Sequence, residues 1–347
     1  MADLPSRPDL EQLRHQAKDL LRSAKSGDEA ALEKIGTVSD RVTLASAQLA
    51  VARDYGFAGW AALKREVERR EILDSRDLRR LTAMLAEDPQ LAATEMERWC
   101  DHPRGASPLG YVAMLRYDTS TGEWRDVTGT GAIAQALLDA GAPVDGRPGT
   151  LETPLITAAS YGDAQVARVL IGAGADIDAR AGDDSGGVPG GTALLHAAVF
   201  GMTEVVDVLV EAGARIQSIE EAAAAGEIGD WLADAPAETR LRALVMAADH
   251  QRLDVIDQLI AAGTPVDATD AAFGGHPLRV AAGNGRPESV RRLVEHGADP
   301  NLSDDEGRTP LTLCRLGRHG DDRAARDEVE AILEPLTADR PEPPRRV

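Results

Sequence analysis

The sequence predicts an all-α fold in which short helical repeats stack into a solenoid behind a small helical module. Three observations predict it. An apolar pattern with helical periodicity recurs along the chain, a glycine follows each copy, and aromatic residues make up only 3% of the 347 residues. Stacked helices that pack through Ala, Leu, Val and Gly need few aromatic side chains, whereas a large globular core uses more.

Residues 1–72 are predicted to form the N-terminal helical module. Leu10, Leu13 and Ala17 share one helical face, and Ser26-Gly27-Asp28 ends that helix. Three further helices are predicted over residues 30–35, 43–55 and 60–70.

Three aromatic residues of the module, Tyr55, Phe57 and Trp60, stand close together in the sequence. A module of this size is short of core-forming side chains. We therefore interpret the three residues as the core of the module, which they also seal against the first repeat. A ligand-binding cluster is the alternative.

The second helix of each repeat is recognised by the glycine that ends it. Gly174-Ala-Asp-Ile-Asp178 has related segments that begin at Gly141, Gly213, Gly263 and Gly297. The positions 8, 7, 4 and 3 residues before the glycine are apolar in most copies, as in Val166, Ala167, Leu170 and Ile171. That spacing is one face of a helix, and the glycine is the left-handed residue that stops it.

The first helix of each repeat carries a second marker. Thr153-Pro-Leu-Ile-Thr-Ala-Ala159 has counterparts that begin at residues 107, 192, 242, 276 and 309. A capping residue followed by proline at the first helical position is a strong helix start. The paired alanines allow a neighbouring helix to approach closely, and a glycine often follows them at the turn into the second helix.

Together, these markers resemble the ankyrin repeat pattern. The starts at 242, 276 and 309 are 34 and 33 residues apart, close to that family's period of about 33. The resemblance implies about seven repeats over residues 73–337, one of them shortened near 217–237, and a disordered tail over 338–347. The string from Ala47 to Leu63 resembles a helical module that precedes ankyrin repeats in bacterial proteins.

The chain departs from the family pattern at several places. The family's histidine after Thr-Pro-Leu is missing, and His196 stands one place later in its copy. The hydrogen bonds that this histidine makes to the neighbouring turn are therefore expected to be missing. Gln251 replaces the glycine between two helices, and the stretches Tyr117–Thr130 and Ala181–Gly191 exceed a standard repeat.

The formal net charge of −20 argues against nucleic acid and acidic membranes as partners, and it favours a protein with a basic or mixed surface. Residues 1–20 lack an apolar stretch of signal-peptide length, and no stretch is long enough to span a membrane. We therefore expect a cytoplasmic protein. The abundance of Arg over Lys and of Ala suggests a bacterial source with a GC-rich genome.

Motifs for catalysis, cofactors and metals are not found in the sequence. The seven histidines are scattered, and Cys100 with His102 is too small a set for a metal site. Neither the Gly-x-Ser-x-Gly pattern nor a phosphate-binding loop is present. A linear stack builds a groove rather than a water-poor pocket. We therefore predict no enzyme activity, no cofactor, and no catalytic, cofactor-binding or metal-binding residue.

The predicted function is protein binding, as a scaffold or regulator that uses the concave face and loops of the repeat stack. In the family, partners contact the positions that the pattern leaves variable. Tyr161 and Phe200 are the foremost candidates because both are large and occupy equivalent places in adjacent repeats; packing on the next repeat's loop is the alternative. The full set is Glu152, Tyr161, Phe200, His250, Asn284 and Arg308.

Two other functions remain open at this point. One is a small-ligand sensor or enzyme built from the N-terminal module and the insert that carries Trp124. A closed apolar pocket lined by Trp60, Trp99 or Trp124 would favour it. The other is an inhibitor or immunity protein that masks a basic partner, and the net charge suggests it. In each case we expect a monomer.

Overall fold

The structure is a computed structural model that describes residues 4–5, 8–96, 107–118, 121–269, 275–317 and 323–337. The chain divides into two compact units. One comprises Met1–Leu115 with Gly129–Gly146, and the other comprises Arg116–Thr128 with Arg147–Val347. The predicted boundary at residue 72 stays a prediction. Several residues of interest lie outside the described ones, namely Trp99, Cys100, His102 and the tail 338–347.

Four helices form the N-terminal part of the first unit. They are α1 (Leu10–Lys25), α2 (Glu29–Gly36), α3 (Leu44–Asp54) and α4 (Trp60–Ser75). Asp9, Asp28 and Thr43 cap the first three helices, each accepting a hydrogen bond from the backbone N–H three residues later. Because these caps satisfy N–H groups that have no partner within the helix, they define where each helix begins.

The core of this helical region is made of apolar side chains from α1, α3 and α4. Leu13, Ala17, Val51, Leu63 and Val67 are buried there. Tyr55, Phe57 and Trp60 pack against the same core. The structure therefore places the three aromatic residues, each half-buried, at the border of this core.

The rest of the first unit consists of α5 (Leu78–Glu87), a short 3-10 helix (Pro89–Ala92), α6 (Pro108–Ala113) and α7 (Thr130–Asp139). A buried ion cluster on α4 holds the segment after α5. Arg69 and Arg70 both bond to the carboxylate of Glu66, and Arg69 also donates to the carbonyls of Leu91 (3.0 Å) and Thr94 (2.8 Å). All three charged side chains are buried, so each depends on the others for compensation.

The second unit begins with a short antiparallel hairpin, β1 (Tyr117–Asp118) and β2 (Glu123–Trp124), which pairs Tyr117 with Trp124. Helix pairs follow. They are α8 (Pro154–Ser160) with α9 (Ala164–Gly172), α10 (Ala193–Val199) with α11 (Thr203–Glu211), α12 (Ile219–Ala225) with α13 (Gly229–Leu232), α14 (Ala237–Asp249) with α15 (Leu253–Ala261), α16 (Pro277–Gly283) with α17 (Pro287–Glu295), and α18 (Pro310–Leu316) with α19 (Arg323–Leu333). A 3-10 turn, Glu334–Leu336, ends the described chain.

The predicted all-α fold is confirmed, and its repeats follow the markers in the sequence. Thr153, Thr192 and Thr309 cap the first helices by accepting backbone N–H bonds at 3.2 to 3.3 Å. The paired alanines after them, such as Ala158 and Ala159, are fully buried. Because alanine adds little volume, the first helices of neighbouring repeats can lie in direct contact along the unit.

The α12–α13 pair is the shortened repeat, and its second helix has only four residues. Glu221 holds it in place. Its carboxylate accepts hydrogen bonds from the backbone N–H groups of Gln217 (2.5 Å) and Ser218 (3.0 Å), and from the hydroxyl of Thr192 in the preceding repeat (3.1 Å). These hydrogen bonds fix the start of α12 and join it to the preceding repeat.

The expectation that histidine hydrogen bonds are missing is wrong. His196 bonds through Nε2 to the carbonyl of Val188 (3.0 Å) and through Nδ1 to the hydroxyl of Ser160 in the preceding repeat (2.8 Å). A histidine one place further along the helix still reaches the neighbouring turn because the insert 181–191 folds back toward it. The repeats are therefore tied together without the family's histidine.

Candidate functional site

Glu152 and Phe200 lie beside the long loop 181–191. Glu152 accepts a hydrogen bond from the hydroxyl of buried Ser185 (2.6 Å), and Phe200 packs edge-on against His196 with ring centroids 6.1 Å apart. Both side chains are half-buried. For these two positions, contacts within the chain already occupy part of the surface that the sequence assigned to a partner.

His250, which was predicted to contact a partner, is a buried residue in the structure. Its side chain is only 1% exposed, and it bonds to the carbonyl of Ala198 (2.9 Å) and the hydroxyl of Thr203 (3.0 Å). His250 follows the last residue of α14, and its ring reaches past the shortened repeat to the turn between α10 and α11. Burial lowers the pKa of this imidazole, and the neutral form is the one that the fold favours.

Arg308 and Asn284 are half-buried and already make internal contacts. Arg308 forms ion pairs with Asp304 and Glu306, both at 2.7 Å. Burial raises the pKa of Asp304, but hydrogen bonds from Arg308 outweigh that effect and leave the pKa below its usual value. Asn284 donates to Asp249 at 2.9 Å.

Tyr161 belongs to a cluster of three aromatic rings. Its ring lies 5.9 Å from that of Tyr117 and 6.0 Å from that of Trp124, and the two hairpin rings are 5.2 Å apart. All three side chains are half-buried. The hairpin insert therefore joins an aromatic residue predicted to contact a partner to two that were not predicted.

The aromatic cluster borders an open groove of about 770 Å³, which we call the turn groove. Its walls come from the hairpin and from the turns between the two helices of several repeats. The lining side chains include Arg116, Trp124, Tyr161, Asn284, Arg286 and Arg326. A volume of this size is within the range of roughly 300–1,000 Å³ found for ligand-binding clefts.

Arginine side chains stabilise the turns that line the groove. Arg116 donates to the carbonyl of Gly162, and Arg286 donates to the carbonyl of Gly201 at 2.7 Å. The carbonyls near the end of a helix have no partner within the helix and carry partial negative charge, so a guanidinium group is a favourable partner. Each arginine is thereby held at the groove wall.

The buried carboxylate of Asp249 connects three repeats beneath the groove. It accepts from Asn284 (2.9 Å) and from Arg286 (3.3 Å), and it lies against the turn at Gly201. Only 4% of its surface is exposed. Because a buried charge must be compensated, this carboxylate orients Asn284 and Arg286 toward one wall of the groove.

Two of the three acidic residues that line the groove are paired with arginines that do not line it. Glu204 bonds to Arg168 at 3.0 Å, and Asp207 bonds to Arg252. The remaining acidic lining residue, Asp126, is exposed. The groove is therefore less acidic than the net charge of the chain suggests.

Residues 127–220 and 244–321 match a family model described as ankyrin repeats. The matched segments contain the capped first helices and the glycine-ended second helices described above. The chain belongs to the ankyrin repeat family. Ankyrin repeats are generally protein-interaction modules, and the fold is typically a non-enzymatic binding scaffold.

Segments of curated proteins are similar to this ankyrin chain. It is 39% identical to the human Espin-like protein over 67 residues, 33% identical to the human 2-5A-dependent ribonuclease over 73 residues, and 42% identical to the Neurogenic locus Notch protein of Drosophila melanogaster over 57 residues. These matches cover 19%, 21% and 16% of the chain, but only 6%, 10% and 2% of the relatives.

Among solved structures, the human ASB11 ankyrin repeat domain is similar at 22% identity and a TM-score of 0.31. The alignment covers 69% of this chain and all of that domain.

The features that would favour a small-ligand sensor are not combined in the described parts of this ankyrin protein. Trp60 packs against the N-terminal core, and Trp124 borders an open groove rather than a closed pocket. Within the described residues, no group of three or more His, Cys, Asp or Glu side chains could hold a metal ion. No described helix is long and apolar enough to cross a membrane.

The turn groove was not predicted from the sequence of this ankyrin chain, although two of its residues, Tyr161 and Asn284, were. Arg286 reaches a carbonyl 85 residues earlier in the chain, and no local pattern shows such a contact. One signal was available. The insert 117–130 breaks the repeat pattern and carries a tryptophan in a chain with few aromatic residues.

Proposed function

We propose that this ankyrin protein is a binding scaffold or regulator whose partner protein docks in the turn groove. The aromatic cluster of Tyr117, Trp124 and Tyr161 carries the proposal, because Trp124 and Tyr161 line the groove and Tyr117 packs against both. Tyrosine, tryptophan and arginine are the residue types enriched among the anchors of protein interfaces. Here all three types line one groove.

The proposal shifts the contact away from part of the surface predicted from sequence. Tyr161 and Asn284 line the groove, whereas Glu152 and Phe200 face the loop 181–191 and His250 is buried. The groove also has walls that are held in place by Asp249 and the turn carbonyls. Such preorganisation favours binding because little conformational entropy is lost on docking.

We further propose that the protein acts as a monomer in the cytoplasm. A second candidate function, the masking of a basic partner, is supported by the net charge of −20. Such a partner would contact acidic surface outside the groove. Its binding would weaken steeply as ionic strength rises, because salt screens charge pairs at the surface.

Affinity capture with tagged full-length chain tests the proposal. The groove variant Trp124→Ala with Tyr161→Ala is compared with Trp231→Ala, a matched control because Trp231 is 37% exposed and does not line the groove. Loss of two aromatic anchors is expected to weaken partner binding at least about tenfold, as for interface hot spots. The control is expected to bind like the wild type.

Equal partner recovery by the groove variant and the wild type would contradict the proposal. Recovery that disappears at high ionic strength, regardless of either variant, would support the masking of a basic partner instead. Thermal unfolding of each variant shows whether a loss of binding reflects a loss of fold.

A further inference from the structure

We propose that the turn groove recognises an extended, acidic, proline-containing segment of the partner, an inference that rests on the function proposed above. Three features support this inference: the repeats that the groove crosses, its aromatic side chains and the N–H donors that Arg116 can offer to a ligand.

The shape of the groove fits an extended chain. Its lining comes from the hairpin and from the inter-helix turns at Gly162, Gly201, Gln251 and Gly285. These turns belong to four different repeats, so the groove crosses several repeats of the stack. A segment without internal hydrogen bonds can follow it and offer its backbone and side chains to each turn in succession.

The aromatic face fits proline. The rings of Tyr117, Trp124 and Tyr161 lie 5.2 to 6.0 Å apart and are tilted by 37° to 56° relative to each other. Proline-rich segments dock on aromatic-lined grooves because their extended conformation is already formed before binding. Trp124 and Tyr161 line the groove and Tyr117 packs against both, so two tilted rings offer apolar surface that a proline ring can cover.

Arg116 fits a carboxylate. Its guanidinium donates to the carbonyl of Gly162, and it forms no ion pair with any residue that the structure describes. A guanidinium has five N–H donors, so one carbonyl leaves donors for a ligand. Arg116 is half-buried and lines the groove beside Trp124. A partly buried cation is screened less than an exposed one, and carboxylates bind guanidinium in a bidentate manner.

Aromatic and arginine side chains also bind single-stranded nucleic acid. The net charge of −20 works against that partner, because a nucleic acid presents a phosphate at every nucleotide. A peptide with one or two acidic side chains meets Arg116 without bringing many negative charges to an acidic protein. The observations therefore favour an acidic peptide, and single-stranded RNA becomes an outcome of the test.

Panning a random-peptide phage library against the immobilised full chain tests the inference. Enriched peptides are expected to combine proline with Asp or Glu. A synthetic copy of one enriched peptide and its Glu→Gln counterpart (Asp→Asn if the acid is Asp) are then titrated into the wild type, Arg116→Gln and Trp124→Ala. The controls are Arg215→Gln and Trp231→Ala, which replace exposed residues away from the groove.

Arg116→Gln keeps an N–H donor for the carbonyl of Gly162 but loses the charge. It is expected to lower the affinity for the acidic peptide about tenfold and the affinity for the amide peptide less than about twofold, because only the acidic peptide forms the charge pair. Trp124→Ala is expected to lower the affinity for both peptides. The two control variants are expected to bind both peptides like the wild type. The Glu→Gln change in the peptide needs no protein variant, so the inference stays testable if Arg116→Gln unfolds.

Enrichment of basic peptides that still need Trp124 would overturn the acidic specificity and leave the proposed function intact. Peptides that bind Trp124→Ala as well as the wild type would contradict the groove itself, and with it the proposed function. Binding of poly(U) RNA that is lost in Trp124→Ala, without any enriched peptide, would assign the groove to nucleic acid.

Discussion

Each repeat of this chain turns twice, and the two turns use glycine for different reasons. At the turn after the second helix, Gly174 and Gly213 have φ of +86° and +88°, and a Cβ added to either would meet nothing within 4 Å. At the turn between the helices, Gly201 has φ of +72°, and an added Cβ would lie 2.5 Å from the carboxylate of buried Asp249.

The difference separates a backbone requirement from a packing requirement. After the second helix, glycine is needed only because other residues rarely adopt a left-handed conformation. Between the helices, Gly162 and Gly201 also permit close contact with a later repeat. The turn groove lies along these inter-helix turns, so residues that shape it, such as Gly201, also stabilise the stack.

Gly201→Ala has the largest expected effect on stability. The left-handed conformation costs about 1–2 kcal/mol for alanine, and overpacking against Asp249 adds about 1–3 kcal/mol. Gly213→Ala, in the same repeat, is the matched control and should cost only the first of these. Urea denaturation of the full chain measures both. Equal losses would show that Asp249 moves aside and that the two turns do not differ.

Acidification should lower the stability of the protein through His276, which lies at the end of its repeat opposite to the groove. This residue caps α16, and burial together with the charge of Arg279 lowers its pKa to about 4, although Asp267 opposes the shift. The folded state therefore holds the neutral ring. The stability that depends on it is complete above pH 6.5 and is lost as the pH falls from 6.5 toward 4.

Between pH 7.5 and pH 5, this linkage should remove about 2 kcal/mol of stability from the wild type. His276→Asn keeps a side chain that can cap the helix but cannot titrate in this range. Its stability should therefore fall less over the same interval, as measured by urea denaturation at both pH values. If both proteins lose the same stability, His276 is not the group responsible.

Gln251→Gly should have the smallest effect, and it should be stabilising. Gln251 occupies an inter-helix turn with φ of +54°, where glycine would be relaxed. The expected gain is about 1 kcal/mol, reduced by the loss of the hydrogen bond from the backbone of Glu288 to its side chain (3.2 Å). Thermal unfolding measures it. A lower melting temperature would mean that this hydrogen bond outweighs the backbone strain.

Much of the fold follows from local sequence signals. Thr153-Pro154 marks a helix start, and Gly174 marks a helix end, because capping and left-handed turns depend on the residue itself and its neighbours. The shortened repeat could be predicted for the same reason, from Ile219 to Gly226 and the short run after it.

The candidate site could be predicted from the sequence less completely than the fold, because contacts between residues far apart in the chain define it. Tyr161 and Phe200 occupy equivalent places in adjacent repeats, yet one borders the groove and the other packs against His196 beside the loop 181–191. Only the fold of the two inserts distinguishes them. His250 was predicted to contact a partner, but from the position after α14 its ring reaches past the shortened repeat to the carbonyl of Ala198.

Photo-crosslinking tests the central claim most directly, that a partner protein docks in the turn groove. A benzophenone amino acid replaces Trp124 in one chain and Trp231 in another, and each chain is irradiated in an extract of the source cells. We predict a specific covalent adduct with a partner from position 124 and none from position 231. Adducts from position 231 alone, or an equal yield from both positions, would contradict the claim.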